Sequence, residues 1–117
     1  NVGGITYITE QLKQQSYRKL HMIIGMVNDK DIHGVLALLP QEAEYYFTKA
    51  SVRRALPESE LAQLASEAGL QGNCYPDVPS AVQAAQEKSL PEDFIFVGGS
   101  SFIVADLLAN RDALNLH

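Results

Sequence analysis

The sequence predicts an α/β protein: a three-layer, Rossmann-like, mostly parallel sheet with helices on both faces. Four short apolar segments alternate with segments of helical periodicity, the order expected when helical crossovers join parallel strands. Residues 19–27 are almost continuously apolar, as a strand covered by helices on both faces must be. The chain opens with Asn1 and enters a helical pattern at once, so we expect the opening strand of the sheet to be missing from this fragment.

Length and composition indicate one domain over residues 1–117 and exclude several classes of partner. With 117 residues, 46% hydrophobic and 20% charged, the chain has the balance of a globular core. A net charge of −5 argues against nucleic acid or an anionic membrane as the partner. No apolar run reaches the roughly 18 to 20 residues of a membrane span. The single Cys74 cannot form an internal disulfide or, without nearby Cys or His, a metal site, so we expect a cytoplasmic protein without a structural metal.

The first half of the chain is predicted to hold a helix, a strand, a second helix and a second strand. Residues 4–15 form the first helix, with Ile5, Ile8 and Leu12 on its apolar face. After the strand at residues 19–27, Asp31 is placed to cap a short helix that Pro40 ends. A second strand, rich in Tyr and Phe, is expected at residues 43–48. The apolar face of the short helix is formed by Ile32, Val35, Leu36 and Leu39.

The second half repeats the alternation of strand and helix. Pro57 suits the first position of a third helix, which Gly69 and Leu70 end in a Schellman-type stop. A short strand is predicted at residues 72–75, a helix that Asp77 starts runs to about residue 88, and the last strand covers residues 93–97. The final helix follows the glycines and serines of residues 98–101 and ends near residue 110.

Polar residues concentrate directly after the strands, where parallel folds bind their ligands. The first strand is followed by residues 28–31, the second by a basic loop with Lys49, Arg53 and Arg54, and the last by residues 98–101. The carboxyl ends of parallel strands meet at one edge of the sheet, so we expect these segments to converge. Two glycines before a helix, its first N–H groups and the hydroxyl of Ser100 or Ser101 suit a carboxylate or phosphate. The sequence therefore predicts an anion pocket.

Each of these signals also has a plainer interpretation. A serine before a helix is an ordinary N-cap, and Asp31 fits the same role. Asp29 and Lys30 are common turn residues, and the basic loop could be simply solvated. His21, inside an apolar strand, fits a packed core better than a ligand site. The sequence contains neither of the two Gly-rich nucleotide-binding motifs nor a Ser/His/Asp or Cys/His nucleophile set, so it does not hold a nucleotide by either known device.

The set of strand-end motifs resembles the C-terminal domain of folylpolyglutamate synthase, often also dihydrofolate synthase, in the Mur ligase superfamily. The similarity runs the whole length of the chain, although residues 98–102 differ from the family's frequent Thr-Gly-Ser-Leu-Tyr. The Asp-Lys-Asp loop and the Arg-Ala-Leu segment favour the folate branch over the peptidoglycan ligases. The matching pieces are Asn1 with the Gly-containing helix start, residues 25–32, Thr48 with residues 54–56, and residues 99–102.

The resemblance implies the C-terminal domain of an ATP-dependent ligase that adds L-glutamate to folate, to dihydropteroate, or to both. In such enzymes ATP phosphorylates a carboxylate, and the amino group of the incoming amino acid attacks the acyl phosphate. By resemblance, Lys30 is the catalytic residue and also contacts glutamate or the developing phosphate, while Ser100 and Arg54 bind substrate. Asn1 and Asp29 would contact the nucleotide. ATP and Mg²⁺ would bind mainly to the central domain of the same polypeptide, so the fragment alone is expected to be inactive.

Two alternative functions remain open at this stage. A peptidoglycan amino-acid ligase differs only in its substrate. A flavodoxin-like receiver or ligand-sensing domain belongs to another class, but it requires a phosphoacceptor Asp at the end of its central strand, and the predicted strands end in Val27, Thr48, Tyr75 and Val97. Because the opening strand is expected to be absent, we also predict an exposed apolar strand edge that could lead the fragment to self-associate.

Overall fold

A computed structural model describes residues 2–28 and 31–116 of the chain. Helices and strands alternate along this part, as the sequence predicts. The elements are α1 (Val2–Lys13), β1 (Leu20–Gly25), α2 (Ile32–Leu38), β2 (Glu44–Phe47), α3 (Glu58–Glu67), β3 (Gly72–Cys74), α4 (Val78–Lys88), β4 (Phe94–Gly99) and α5 (Ser101–Ala109).

The four strands form one parallel sheet in the order β3-β2-β1-β4. β1 lies between β2 and β4, with Ile23 opposite Tyr46 on one side and Val97 on the other. All six residues of β1 are buried. The continuous apolar character of this segment is therefore explained by its central position, because both faces and both edges of the strand are covered.

Helices cover both faces of the sheet, which confirms the three-layer prediction. On one face, α1, α2 and α3 contribute buried residues such as Ile5, Leu36 and Leu61 to a core with alternate residues of β1 and β2. On the other face, α4 and α5 pack Val82 and Ile103 against the remaining residues of the same strands. The alternation of side chains along each strand sends successive residues into the two cores.

The predicted helix faces are buried or half-buried, but two helix starts differ from the prediction. Pro57, predicted as the first helical residue of α3, is instead its N-cap, with φ −55° and ψ 140°, and the helix begins at Glu58. Asp31 is the N-cap of α2, yet its side chain makes no capping hydrogen bond, because its φ of −95° and ψ of 9° lie outside the extended region that capping requires. The Schellman stop is confirmed: Gly69 has a φ of +86°, and Leu70 N–H donates to the Ala65 carbonyl.

A polar network crosses the sheet at the amino-terminal end of its strands. His21 is buried, and its Nε2 lies 2.8 Å from Oδ2 of Asp93 while its Nδ1 lies 2.7 Å from the hydroxyl of Tyr46. The Tyr46 hydroxyl donates to Glu44 Oε2 at 2.9 Å, and Arg18 makes two hydrogen bonds to the Asp93 carboxylate. The prediction that His21 is a packed core residue is confirmed, and its ring is fully partnered.

One edge of β4 has no partner strand among the described residues. Next to this edge, Phe94 and Phe96 line an apolar groove together with Ile8 and Leu12 of α1. Val104 of α5, 40% exposed, lies farther along the same edge.

Across the described ranges, no helix is both long and apolar enough to span a membrane.

Candidate functional site

A cavity of about 240 Å³ opens at the carboxyl-terminal edge of the sheet. Its wall combines the start of α1, the chain that leaves β1, the start of α2 and the turn between β4 and α5. It therefore lies where parallel sheets bind ligands. At this point the chain leaves β1 toward a helix on one face of the sheet and leaves β4 toward a helix on the other face. The lining residues are Ile5, Met26, Val27, Asp31, Ile32, Val35, Gly99, Ser100, Ser101 and Phe102.

Two glycines make this edge of the sheet compact. Gly25 and Gly99 are register partners at the ends of β1 and β4. A Cβ on Gly25 would lie 2.3 Å from Cδ1 of Ile103, so the absence of a side chain lets α5 approach the sheet. Gly99 has a φ of +110°, and a Cβ there would lie 2.1 Å from the Gly25 carbonyl oxygen. These contacts fix the turn that carries Ser100.

Ser100 occupies the N-cap position of α5 without capping the helix. Its backbone is extended, as a cap requires, and its N–H donates to the Gly25 carbonyl at 3.1 Å. Its side chain makes no capping hydrogen bond, and its buried Oγ has no hydrogen-bond partner among the described residues. A buried hydroxyl without a partner is costly in a folded protein. Ser100 also lines the cavity, which makes this unpartnered hydroxyl a candidate ligand contact.

The basic loop, residues 48–56, is held beside the end of β1. Asn28 N–H donates to the Arg54 carbonyl at 2.9 Å, Leu56 N–H donates to the Met26 carbonyl at 2.8 Å, and Val27 pairs with Ala55 in an antiparallel bridge. The loop thus runs alongside residues 26–28, which lead directly into residues 29 and 30. The predicted convergence of the first two polar segments is confirmed for the backbones of Asn28 and Arg54.

The predicted site residues have three different outcomes. Ser100 lines the cavity. Arg54 is exposed and does not belong to the described lining, although its carbonyl bonds to Asn28. Asn1, Asp29 and Lys30 lie outside the described residues.

Two polar features of this edge were given no role from the sequence. Asp106 of α5 accepts hydrogen bonds from both the N–H and the hydroxyl of Ser51, which no spacing rule could reveal across 55 residues. Thr48 is 0% exposed, and its Oγ1 is a second buried hydroxyl without a partner among the described residues. In the sequence, Thr48 was identified by its position at the end of the second strand and as one of the pieces that resemble the family, but no role was assigned to its hydroxyl.

The described residues do not form a metal site of their own. Within residues 2–28 and 31–116, no group of three or more His, Cys, Asp or Glu side chains is placed to hold an ion. The usual oxygen ligands of Mg²⁺ are therefore not assembled there. What the edge offers is the start of α5, a serine hydroxyl and an exposed basic loop, which together suit a carboxylate or another anion.

Comparison with known proteins agrees with this arrangement. A family model described as "Mur ligase, glutamate ligase domain" matches residues 1–101. A curated relative from Haloferax volcanii, named "Probable bifunctional folylpolyglutamate synthase/dihydropteroate synthase", is 26% identical over 110 residues. The alignment covers 91% of this chain and 13% of that protein.

Solved structures share the fold over nearly the whole chain. Escherichia coli FolC in complex with DHPP and ADP superposes with a TM-score of 0.86 and 27% identity, covering 98% of this chain and 27% of FolC. The bifunctional folylpolyglutamate synthase/dihydrofolate synthase of Yersinia pestis, complexed with AMPPNP and a Mn ion, gives a TM-score of 0.78 and 28% identity. That match covers 99% of this chain and 27% of the other. The chain thus spans about a quarter of the length of these structural relatives.

Proposed function

Because the chain belongs to the Mur ligase family of glutamate ligase domains, we propose that it is the C-terminal domain, residues 1–117, of a larger ATP-dependent ligase. The proposed reaction adds L-glutamate to folate, to dihydropteroate, or to both, through an acyl-phosphate intermediate. The relatives named as folylpolyglutamate or dihydrofolate synthases support this substrate class. Together with its single unpaired cysteine, this function fits a cytoplasmic enzyme.

The single observation that carries the proposed role of the site is the hydroxyl of Ser100. Its Oγ is buried without a described partner, at the start of α5 and on the wall of the cavity. We assign it to the carboxylate of the incoming glutamate, which the first N–H groups of α5 would also favour. Arg54, on the neighbouring loop, adds positive charge to the same edge.

Lys30 is proposed as the catalytic residue and as a second contact to glutamate. It follows the segment 26–28, which the basic loop holds in place. A lysine ammonium at this position would stabilise the negative charge that develops when the amino group attacks the acyl phosphate. Asp29 and Asn1 are proposed to contact the nucleotide.

ATP and Mg²⁺ are not expected to bind to this domain alone. The sequence has no phosphate-binding loop, and the described residues do not assemble a metal site. When bound to the rest of the ligase, ATP supplies the phosphoryl group that activates the substrate carboxylate. The residues of this domain bind and orient the glutamate, so we expect the isolated chain to show neither ATPase nor ligase activity.

A peptidoglycan amino-acid ligase is the second candidate, since the same superfamily contains both. The relatives reported above favour the folate branch. The receiver-domain alternative does not fit a glutamate ligase domain, and an acyl-phosphate donor with Mg²⁺ should leave the chain unmodified.

Ser100→Ala tests the proposed site in the ligase that carries this domain. Loss of a hydrogen bond to a charged group should raise KM for L-glutamate about tenfold or more. An N-cap serine that bonded its helix would also cost about 1 kcal/mol of stability when replaced by alanine. We expect no such loss, because the Ser100 hydroxyl makes no bond to the described part of the domain.

Ser66→Ala, an exposed change in α3, is the matched control for this experiment. It should alter neither the melting temperature nor KM. If Ser100→Ala lowers stability while KM for glutamate stays at the wild-type value, the serine is only a helix cap and its assignment to substrate is wrong.

We also propose that the chain on its own self-associates through the free edge of β4. Unpaired N–H and C=O groups, next to half-buried Phe94 and Phe96, form a template for another strand. Sedimentation at increasing concentration should show growing assemblies. A chain that stays monomeric at all concentrations, and gains no stability when extended at its amino terminus, would contradict this proposal.

A further inference from the structure

Asp106 of α5 accepts two hydrogen bonds from Ser51 of the basic loop. Its Oδ2 accepts the Ser51 N–H at 2.8 Å, and its Oδ1 accepts the Ser51 hydroxyl at 2.9 Å. One carboxylate therefore engages both donors of a single loop residue. Hydrogen bonds to an ionised carboxylate are shorter and stronger than neutral ones, so this pair is a defined attachment point.

The attachment to Asp106 lies between two others along the loop. At its beginning, Thr48 N–H donates to the Ile24 carbonyl of β1. At its end, the Arg54 and Leu56 backbones bond to residues 26–28. Arg53 lies between the middle and the last attachment, so its position depends on both, and Arg54 itself takes part in the last attachment.

Thr48 and Leu56 at the two ends of the loop are buried, but the residues between them pack little side-chain surface against the core. Ala50 is 2% exposed but contributes only a methyl group to the core under α4 and α5, and Val52 is half-buried. Arg53 and Arg54 themselves are exposed. Between Thr48 and Arg54, the loop is held by the bonds at Ser51 and by a turn in which Ala55 N–H donates to the Val52 carbonyl at 3.1 Å.

We propose that Asp106 is a positioning residue for substrate binding: through Ser51 it fixes where the basic loop presents Arg53 and Arg54 to the anionic amino-acid substrate. This inference rests on the proposed glutamate ligase function. Asp106 belongs to the same helix whose first turn carries Ser100. The helix therefore sets the distance between the serine that contacts the carboxylate and the arginines beside it. A misplacement of about 1 Å at such a site is enough to slow a reaction by orders of magnitude.

The first experiment compares Asp106→Ala with Asp106→Asn in the complete ligase. Alanine removes both bonds, so KM for L-glutamate should rise on the order of tenfold while KM for ATP stays unchanged. Asparagine keeps both, because its Oδ1 accepts the Ser51 N–H and its Nδ2 donates to the Ser51 hydroxyl. It should therefore restore KM to within about twofold. Asp112→Ala, which removes an exposed carboxylate just beyond α5, is the control.

A merely structural role predicts a different pattern. Loss of folded enzyme would lower kcat and leave both KM values at the wild-type level. If Asp106→Ala gives that pattern, or leaves all constants unchanged, the positioning role is overturned.

The second experiment uses the 117-residue chain and does not depend on activity. Amide hydrogen exchange of Ser51 should accelerate in Asp106→Ala, together with that of Ala55, whose N–H donates to the Val52 carbonyl in the same loop, while α5 keeps its protection. Unchanged exchange at Ser51 would overturn the inference. A wild-type ligase that does not use glutamate would instead refute the proposed function, and the exchange result would still decide whether Asp106 holds the loop.

Discussion

His21 and Asp93 are 72 residues apart in sequence, and their side chains meet at 2.8 Å inside the protein. Asp93, whose side chain is 0% exposed, also accepts two hydrogen bonds from Arg18 and one from the Leu90 N–H. The Arg18 guanidinium, with smaller effects from His21 and Leu90, holds the pKa of the Asp93 carboxyl well below its usual range despite desolvation. A single carboxylate therefore joins the chain before β1 to the chain before β4.

The first prediction concerns acid stability. A carboxyl whose pKa is lowered by folding stabilises the protein above its unfolded pKa of about 3.9, and this stabilisation is lost as pH falls further toward the folded value. We expect the melting temperature to fall below about pH 4, and to fall less steeply in Asp93→Asn. Asp77 and Glu44 also have lowered pKa values, so part of the decrease in melting temperature with pH should remain in Asp93→Asn. Parallel curves for wild type and Asp93→Asn between pH 5 and pH 2 would contradict the prediction.

The second prediction concerns the hydroxyl of Tyr46, which links His21 to Glu44. Tyr46→Phe removes the nearest partner of the buried Nδ1 of His21, leaving Glu44 Oε2 at 3.4 Å, and it removes one donor to Glu44. A buried polar group that loses its hydrogen bond costs about 1 to 3 kcal/mol, so the free energy of unfolding should fall by that amount. Urea denaturation measures it. Tyr7→Phe, on a side chain that is 67% exposed, should leave stability within about 0.5 kcal/mol of wild type.

Burial raises the pKa of the Tyr46 hydroxyl, and so does the adjacent Glu44 carboxylate. The hydroxyl therefore stays protonated and continues to act as a donor over the range in which the protein would be studied. If Tyr46→Phe were as stable as wild type, the network would contribute nothing to folding.

The elements of this fold could be predicted from the sequence, but the bonds between distant residues could not. Continuous apolar runs, and helix faces such as Val35 and Leu36, result from burial. They can be recognised in the sequence because burial favours an apolar residue at each such position. The Asp93–His21 and Asp106–Ser51 pairs depend on how strands and helices are arranged in space. Local sequence prediction also failed at Asp31: its residue type suits a helix cap, but its backbone angles do not.

The location of Ser100, though not its role, could be predicted from its position after a strand. Ser100 was expected at the carboxyl edge because it follows β4, and it lies there. The expectation that its side chain would cap α5 was the plainer interpretation, and it is wrong for the described structure. The roles of Lys30, Asp29 and Asn1 stay predictions, since they lie outside the described residues.

The third prediction concerns Gly99. A side chain at its φ of +110° is strained, and its Cβ would meet the Gly25 carbonyl. Gly99→Ala should cost about 1 to 3 kcal/mol and displace Ser100, so KM for glutamate should rise as well. Gly34→Ala is the matched control, because an exposed glycine inside α2 should tolerate alanine or gain up to about 1 kcal/mol. Equal stability of the two variants would show that the turn at Gly99 can relax.

The fourth prediction separates catalysis from folding at Lys30. If its ammonium contacts glutamate or the acyl phosphate in the closed ligase, Lys30→Ala should slow single-turnover ligation about 10²-fold or more. Stability should change by no more than about 0.5 kcal/mol, as for an ordinary surface substitution. Lys13→Ala, at the far end of α1 with its side chain 74% exposed, is the control. A large loss of stability would make Lys30 structural, and unchanged ligation would make it a turn residue.

The polar network and the proposed site lie at opposite ends of the same strands. His21 and Gly25 are separated by roughly 13 Å along β1, at about 3.3 Å per residue. The bonds of the network join residues 18–21, 44–46 and 90–93, and none of these belongs to the loops at the carboxyl edge. The loops could therefore diverge in length and sequence without disturbing the bonds that hold the strands in register. Loop grafting at the carboxyl edge should therefore leave the polar network and the strand register intact.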